Sequence, residues 1–376
     1  MHLSMTSKIT HIETMLVDIP TIRPHKLSMT SMAVQTMVIV RIKDDQGREG
    51  LGEGTTIGGL AYGPESPESI KMNIDTYLAP LLIDQPLHSI KLLIQRLSMS
   101  VRGNMIAKSA LQTALLDLQG KHLGVPVSTL LGGAIHQHIP CLWVLASGDT
   151  DKDITEAKAL IASGRHCDFK LKIGSQHVND DVAHVAAIKA ALGNSASVRV
   201  DVNQAWDEST ATKGMATLQE AGVDLVEQPT PAKEWDALVR LSQKFTIPIL
   251  ADEGVADASD VFQLAQRGFN GGIALKIAKA GGPIEALYAA TVSSASGMGL
   301  YGGTLLEGSI GTAVSIHAWS TLPKLHWGSE MFGPLLLQDD IIKQPLRYHN
   351  NGVDVPDSPG LGIEIDEEKL ALYRRK

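Results

Sequence analysis

FKLKIG at 169–174, RVDVNQ at 199–204, LVEQP at 225–229, ILADE at 249–253 and ALKIAK at 274–279 are short apolar runs that each carry an ionisable residue at or near the end: Lys172, Asp201, Glu227, Asp252 and Lys276. The steps between those residues are 29, 26, 25 and 24 positions. Each step accommodates one strand, one helix and two short loops. Charged side chains repeated at equivalent strand ends describe the carboxyl-terminal rim of a barrel of parallel strands, the face on which such barrels carry their active sites.

The flanking sequence extends this pattern in both directions. CLWVLA from 141, CDFKLK from 167 and GLYGG from 299 read as further strands, with helical stretches at 151–163, 178–192, 207–221, 233–244, 257–267, 281–297 and 309–320. Alternation sustained over seven or eight strands predicts a modified (β/α) barrel of TIM type over 132–324. Upstream the pattern differs. Residues 8–19, 34–43 and 48–53 are β-rich, and helical periodicity follows through 67–81, 87–98 and 104–122. Strands followed by helices predict an α+β domain over 1–131. Residues 325–376 supply the last strand and a segment that returns to this domain. Polar, proline-broken TIRPHKLSMTSM from 21 predicts a mobile loop, and glycine-rich GLGEGTTIGGLAYG from 50 a flexible one without the lysine of a phosphate cradle.

The bulk composition narrows the function classes. The 376 residues carry a net charge of −8, with no basic excess to attract nucleic acid or an anionic membrane. The two cysteines, Cys141 and Cys167, are too few for a disulfide framework and fit a reducing cytoplasm. No stretch has the uncharged apolar length of a membrane span, and residues 1–15 lack the apolar core of a signal peptide.

On the rim, three carboxylates from adjacent strands cannot all remain ionised without compensating charge. A hard divalent cation bound by Asp201, Glu227 and Asp252 resolves this, with open positions for substrate; solvated or lysine-paired acids are the alternative. Lys170 and Lys172 alternate along one strand and so share a face. Two close ammonium groups depress each other's pKa, which makes Lys172, nearer the strand end, the candidate proton-transferring group. Lys276 approaches from the opposite side, or pairs with Asp252. By its resemblance to lysine-based sites that work with a divalent metal, such a constellation implies proton transfer at a carbon next to a carboxylate through an enolate.

These motifs resemble the enolase superfamily, and within it the muconate-lactonizing subgroup. KLK at 170–172, DVNQ at 201–204, EQP at 227–229, ADE at 251–253 and LKIAKAGG at 275–282 carry the resemblance. TIRPHKL at 21–27, GEGTTIGGLAYG at 52–63, LASGDT at 145–150, YGGTLLEGSIGT at 301–312 and EMFGPLLL at 330–337 extend it over almost the whole chain. The resemblance implies an α+β capping domain over the barrel, an isomerase that cyclises a muconate to its lactone in aromatic degradation, and Mn²⁺ or Mg²⁺ as cofactor. It also implies a small dicarboxylate substrate and a homo-oligomer, often an octamer.

Carried onto this chain, it makes Asp201, Glu227 and Asp252 metal ligands and Lys172 the proton-transfer lysine. Lys170 becomes its electrostatic partner, Lys276 the lysine on the opposite face, and Glu330 an acid toward the substrate. His25, Ile57 and Tyr62 on the capping loops line the pocket, and Asn203 supports the metal shell. Phe332 stands where related epimerases carry a second acid for a substrate ammonium, which favours a hydrocarbon chain. Chlorinated or alkylated muconates stay open because residues 28–32 vary in the loop that reads substrate shape. A dipeptide epimerase, an o-succinylbenzoate synthase and a non-catalytic binding barrel are the rival readings. Gly254, where relatives often carry serine, is expected to loosen its loop.

Overall fold

The computed structural model describes residues 7–26 and 30–376. It opens with an antiparallel sheet of β1 (Ile9–Lys26), β2 (Ser31–Asp44) and β3 (Glu49–Thr55) in the order β1-β2-β3. β1 runs well past the stretch expected as strand. Where a mobile loop was expected from 21, the chain stays extended, and pairing resumes at His25↔Met32 after a register shift beyond Pro20↔Val34. Pro20 and Pro24 are tolerated because β1 is an edge strand, where a missing N–H breaks no central ladder. The hairpin therefore projects as a paired arm, not as a loose loop. Residues 27–29, which include part of the loop expected to read substrate shape, lie outside the described residues.

The glycine-rich stretch from 50 is also a strand where it begins. Gly50 and Gly52 lie on the face of β3 that meets the helix Met105–Leu123. A Cβ at Gly50 would fall 2.1 Å from the Ala114 carbonyl oxygen, and one at Gly52 2.0 Å from that of Ala110. Here glycine serves close strand–helix packing within the stretch 48–53 read as β-rich, and the overlapping flexible-loop reading from 50 gives way as far as Thr55. Asp117 on that helix locks the contact, accepting the Leu51 and Leu361 N–H groups and pairing with Lys121 at 2.7 Å.

After β4 (His138–Pro140) come seven parallel strands: β5 (Trp143–Leu145), β6 (Asp168–Lys172), β7 (Ser197–Asp201), β8 (Leu225–Glu227), β9 (Ile249–Ala251), β10 (Gly272–Leu275) and β11 (Gly299–Gly302). They are hydrogen-bonded in sequence order from β5 to β11. Their cores are fully buried aliphatics such as Val198, Val200, Leu225, Val226 and Leu250, as a parallel sheet covered by helices requires. The ring closes through a single residue. Ser329 makes parallel bridges both to Gly302 at the end of β11 and to Cys141 just before β5. Glu330 follows at once, its N–H donating to the Gly302 carbonyl at 2.8 Å, and so reaches the mouth of the barrel.

Beyond the barrel, β12 (Tyr348–His349) and β13 (Gly352–Asp354) pair with β4 in the order β12-β13-β4. The chain then returns to the amino-terminal sheet. Arg375 N–H donates to the Leu16 carbonyl, and its guanidinium pairs with Asp18 and Glu68. Two further contacts tie that sheet to the barrel mouth. Glu53 on β3 accepts the N–H groups of Gly308 and Gly311 at the start of the helix Ser309–Trp319. Gln35 on β2 donates to the carbonyls of Leu305 and Leu306.

Candidate active site

Strand register sets the level of the chemical groups. Lys172 pairs with Asp201 across β6–β7, and Asp201 with Glu227 across β7–β8. Registered neighbours in a parallel sheet point the same way, so these three side chains converge on the mouth at one level. Asp252 stands one residue beyond β9, and Lys276 one residue beyond β10. Lys170, two residues below Lys172, lies in the barrel interior and is fully buried.

Every acid of the expected metal set faces an ammonium group. Lys172 Nζ is 2.5 Å from Asp201 Oδ2. Lys170 Nζ is 2.8 Å from Glu227 Oε2, 4.0 Å from Asp201 Oδ2, and also contacts Glu330. Lys276 Nζ is 2.5 Å from Asp252 Oδ2, and Lys279 Nζ 2.8 Å from Asp252 Oδ1. The Lys276–Asp252 pair weighed from sequence is thus formed. Lys279 and Glu253 had no role in that reading. Lys279 arrives because the short helix Ile277–Ala280 turns it back beside Lys276, and Glu253 simply follows Asp252. The Asn203 amide ties Asp201 Oδ2 to Glu253 Oε1 at 3.2 and 3.1 Å.

The electrostatics show which charges strain against one another. Burial opposes charge on Lys170, but Glu227 and Glu330 raise its pKa well above the usual lysine range. The mutual depression of Lys170 and Lys172 expected from sequence is therefore not what Lys170 experiences, because two carboxylates at contact distance outweigh one neighbouring ammonium. Burial pushes Glu227 up to about 8, with Asp201, Glu330 and Asp252 adding to the rise against the pull of Lys170. The two partners of the 2.8 Å pair thus shift in the same direction. We take Lys170 as the fixed charge, since it serves two acids and Glu227 has only part of one ammonium. Burial also raises Asp252, but Lys276 and Lys279 overcome it and hold the carboxyl well below the usual range. Glu253 is pushed up to about 7 by burial and by its neighbours Asp252 and Asp201.

Counting Asp201, Glu227, Asp252, Glu253 and Glu330 against Lys170, Lys172, Lys276 and Lys279 leaves one negative charge in surplus when all are ionised. Glu227 Oε1 and Glu253 Oε2 are buried without a hydrogen-bond partner among the described residues. Orphaned carboxylate oxygens inside an electronegative barrel mouth fit a bound divalent cation, which would give Glu227 a partner and more than offset the surplus.

A narrow cleft over these groups is lined by His25, Ile57, Tyr62, Lys172, Asn203, Lys276, Thr304, Leu306, Glu330 and Phe332. The expected loop and rim residues are thus brought together, with Thr304 and Leu306 added. Tyr62 comes from the segment after β3, and its hydroxyl accepts from Lys276 at 3.1 Å. His25, at the resumed pairing of the hairpin arm, is buried with neither ring nitrogen partnered among the described residues. Burial and the charges of Lys172, Arg23 and Lys170 push it down to about 3, so it enters the cleft as a neutral donor. Arg23 pins the arm by pairing with Glu156 at 2.7 Å and donating to the Val144 carbonyl. Phe332 packs edge-on to Trp143, with centroids 5.7 Å apart, which makes that wall apolar.

The rim loops also hold strained backbone. Asn203, Gln204, Gln228 and Leu306 all adopt positive φ, of 44°, 70°, 34° and 62°. Such conformations concentrate where surrounding structure must aim specific groups. The Gln228 side chain shows this: its Oε1 accepts from Asp252 N–H at 2.8 Å and Gly254 N–H at 3.3 Å. Gly254 does not loosen its loop. Its carbonyl also accepts from Trp235 Nε1 at 2.8 Å, and a Cβ there would meet the Ala232 oxygen at 3.0 Å.

Comparison with known proteins gives a consistent picture. Residues 11–132 match the family model for the mandelate racemase / muconate lactonizing enzyme N-terminal domain, and residues 152–369 the enolase C-terminal domain-like model. Muconate cycloisomerase 1 of Acinetobacter baylyi is 53% identical over 366 residues, covering 97% of this chain and 99% of that protein. A chloromuconate cycloisomerase of Pseudomonas putida is 42% identical over 98% of this chain and 99% of its own length. A crystal structure of muconate lactonizing enzyme from Pseudomonas fluorescens complexed with muconolactone superposes with a TM-score of 0.97. It is 54% identical, over 98% of this chain and 100% of that one.

Proposed function

This chain belongs to the mandelate racemase / muconate lactonizing enzyme family of the enolase superfamily, and from that premise we infer that its barrel mouth catalyses the reversible cycloisomerisation of cis,cis-muconate to muconolactone. The enzyme is an isomerase, an intramolecular lyase dependent on a divalent cation. The observation that carries the reading to named residues is the single level shared by Lys172, Asp201 and Glu227, with Lys170 beneath and Asp252–Lys276 across the mouth.

In the forward direction one substrate carboxylate oxygen adds to the conjugated diene and forms the lactone C–O bond. The displaced π electrons move onto the other carboxylate, giving an enolate. Lys172 then delivers its proton to the α-carbon, and in reverse removes it. Asp201, Glu227 and Asp252 would hold Mn²⁺ or Mg²⁺, which when bound supplies electrostatic stabilisation of the enolate oxygens. Lys170, fixed as an ammonium ion by Glu227 and Glu330, favours the proton-donating geometry by setting the field below Lys172. Lys276 contributes positive charge from the opposite side, positioned by Asp252 and Tyr62.

Glu330 and the neutral His25, both lining the cleft, provide hydrogen-bonding groups for the substrate. Phe332 and Ile57 cover its hydrocarbon chain, and an apolar wall suits muconate better than a substrate ammonium. Reading residues 1–131 as the cap, 132–324 as the barrel and 325–376 as the last strand and returning segment belongs to the same proposal. So do a homo-octameric assembly, a cytoplasmic location and a place in aromatic degradation.

The test is loss of the ultraviolet absorbance of cis,cis-muconate on addition of the protein with Mn²⁺. We expect Lys172→Ala to abolish turnover while Mn²⁺ still binds. Undiminished turnover in that variant would remove Lys172 from the chemistry. Exchange of α-protons in dipeptides, without turnover of muconate, would move the reading to an epimerase.

A further inference from the structure

Away from the barrel mouth, the small sheet β12-β13-β4 gathers three donor side chains on one face. His138 on β4 stands directly opposite Asp354 on β13, and His349 on β12 stands opposite Gly352, two residues before Asp354. Cross-strand partners share a face, as do residues two apart on one strand. The side chains therefore converge. His138 Nδ1 lies 3.0 Å and His349 Nε2 2.8 Å from Asp354 Oδ1, with the rings 4.9 Å apart between centroids. One donor atom from each residue lies within 4.8 Å of the other two. Gly352 keeps the face clear, since a Cβ there would fall 2.3 Å from His138 Nε2. That nitrogen has no hydrogen-bond partner among the described residues, so the Nδ1 edge is the one turned to the cluster. Arg347 Nε approaches the other carboxylate oxygen, Oδ2, at 3.5 Å and leaves Oδ1 to the imidazoles.

We propose that His138, His349 and Asp354 form a second cation site, selective for a divalent ion of the zinc class and distinct from the all-oxygen site at the barrel mouth. Two imidazole nitrogens and one carboxylate oxygen are a donor set that zinc accepts and that magnesium disfavours. Ligand distances near 2.1 Å in tetrahedral array place donors about 3.4 Å apart. Asp354 Oδ1 is already close to that spacing from both rings, and the two ring nitrogens, within 4.8 Å of each other, would close by at most about 1.4 Å to take up an ion. A fourth position stays open to water because His349 is 45% exposed.

The site's position gives it a structural role. β4 leads through Cys141 into β5, and Asn351 beside the cluster receives the Cys167 N–H and donates its own N–H to the Arg165 carbonyl. Both contacts lie just before β6, at the amino-terminal end of the barrel and opposite the mouth. Features at that end serve stability. A bound ion would clamp the segment carrying β12 and β13 to the base of the barrel.

The test uses the full chain, stripped of metal and titrated with Zn²⁺ in excess Mg²⁺, which keeps the barrel-mouth carboxylates engaged. One equivalent of zinc should bind the parent and raise its Tm. His349→Ala and Asp354→Asn should each weaken that binding by at least about tenfold and lose the Tm rise, while muconate turnover in Mg²⁺ stays at the parent level. His349 is a surface residue, so its replacement leaves the core intact, and the zinc-free Tm verifies folding. Zinc affinity and stoichiometry unchanged in both variants, or no zinc retained by the parent in Mg²⁺, would overturn the assignment.

Discussion

Replacing His317 by glutamine should make the protein markedly less sensitive to acid. His317 lies on the helix Ser309–Trp319 and is fully buried. Its Nδ1 accepts the Ser128 N–H at 3.3 Å, so Nε2 carries the proton and donates to the Leu361 carbonyl at 3.2 Å. Protonating Nδ1 would displace the Ser128 donor and bury a charge. Burial accordingly pushes the ring down from 6.5 to about 4, against the opposing effect of the Leu361 carbonyl. A base whose folded pKa is depressed contributes its stability in full above the unfolded value. That stability declines as pH falls from 6.5 toward 4 and is lost below it. At pH 5 the unfolded ring is protonated and the folded one largely neutral, a difference of about 1.5 pH units, or about 2 kcal/mol. Glutamine offers an oxygen to Ser128 and an N–H to Leu361 but cannot titrate. Urea unfolding of parent and variant at pH 8 and pH 5 isolates this contribution, because every other titrating group cancels in the double difference. The expected double difference is about 2 kcal/mol in favour of the variant at pH 5. A value below about 0.5 kcal/mol, with both proteins folded at pH 8, would refute the claim that His317 is buried neutral.

Asp252→Asn removes the carboxylate that pairs directly with both Lys276 and Lys279. The variant should unfold about 3–5 kcal/mol more easily and bind Mn²⁺ at least about tenfold more weakly, as read by thermal unfolding and equilibrium dialysis. Parent-like Mn²⁺ affinity would place the metal elsewhere. Arg23→Met releases the hairpin arm from Glu156, a part-buried pair worth about 1 kcal/mol. Because Arg23 touches no reacting group, the expected outcome in steady-state kinetics is a KM raised about fivefold with kcat little changed. A loss confined to kcat would argue against an arm that only shapes the cleft.

The barrel was legible because its signal repeats. Each strand is a short apolar run with a charged end, and the register that aligns Lys172, Asp201 and Glu227 follows from counting to those ends. The amino-terminal domain was legible in class but misread in two places. Prolines at 20 and 24 and glycines at 50 and 52 look like loop signals along the chain. An edge strand tolerates the first pair, and a helix lying against β3 demands the second. Lys279 and Glu253 escaped notice for a related reason. Nothing in their local spacing distinguishes them from ordinary surface charge until the turn after β10 and the loop after β9 bring them to Asp252 and Asn203.

By itself the sequence determined the alternation of strands and helices, the order of charged groups around the mouth, and the family resemblance that points to an enolate reaction. Those properties are local or periodic, and periodicity survives in one dimension. Only the tertiary structure decided how charge is shared. Lys170 serves both Glu227 and Glu330, although 57 positions separate the first pair, and Ser329 closes the ring by bridging to Gly302 and Cys141. Only the tertiary structure, too, sets His138 and His349 on one face of a sheet with Asp354 between them. Electrostatic coupling depends on distance through space and on burial, and neither is a function of separation along the chain.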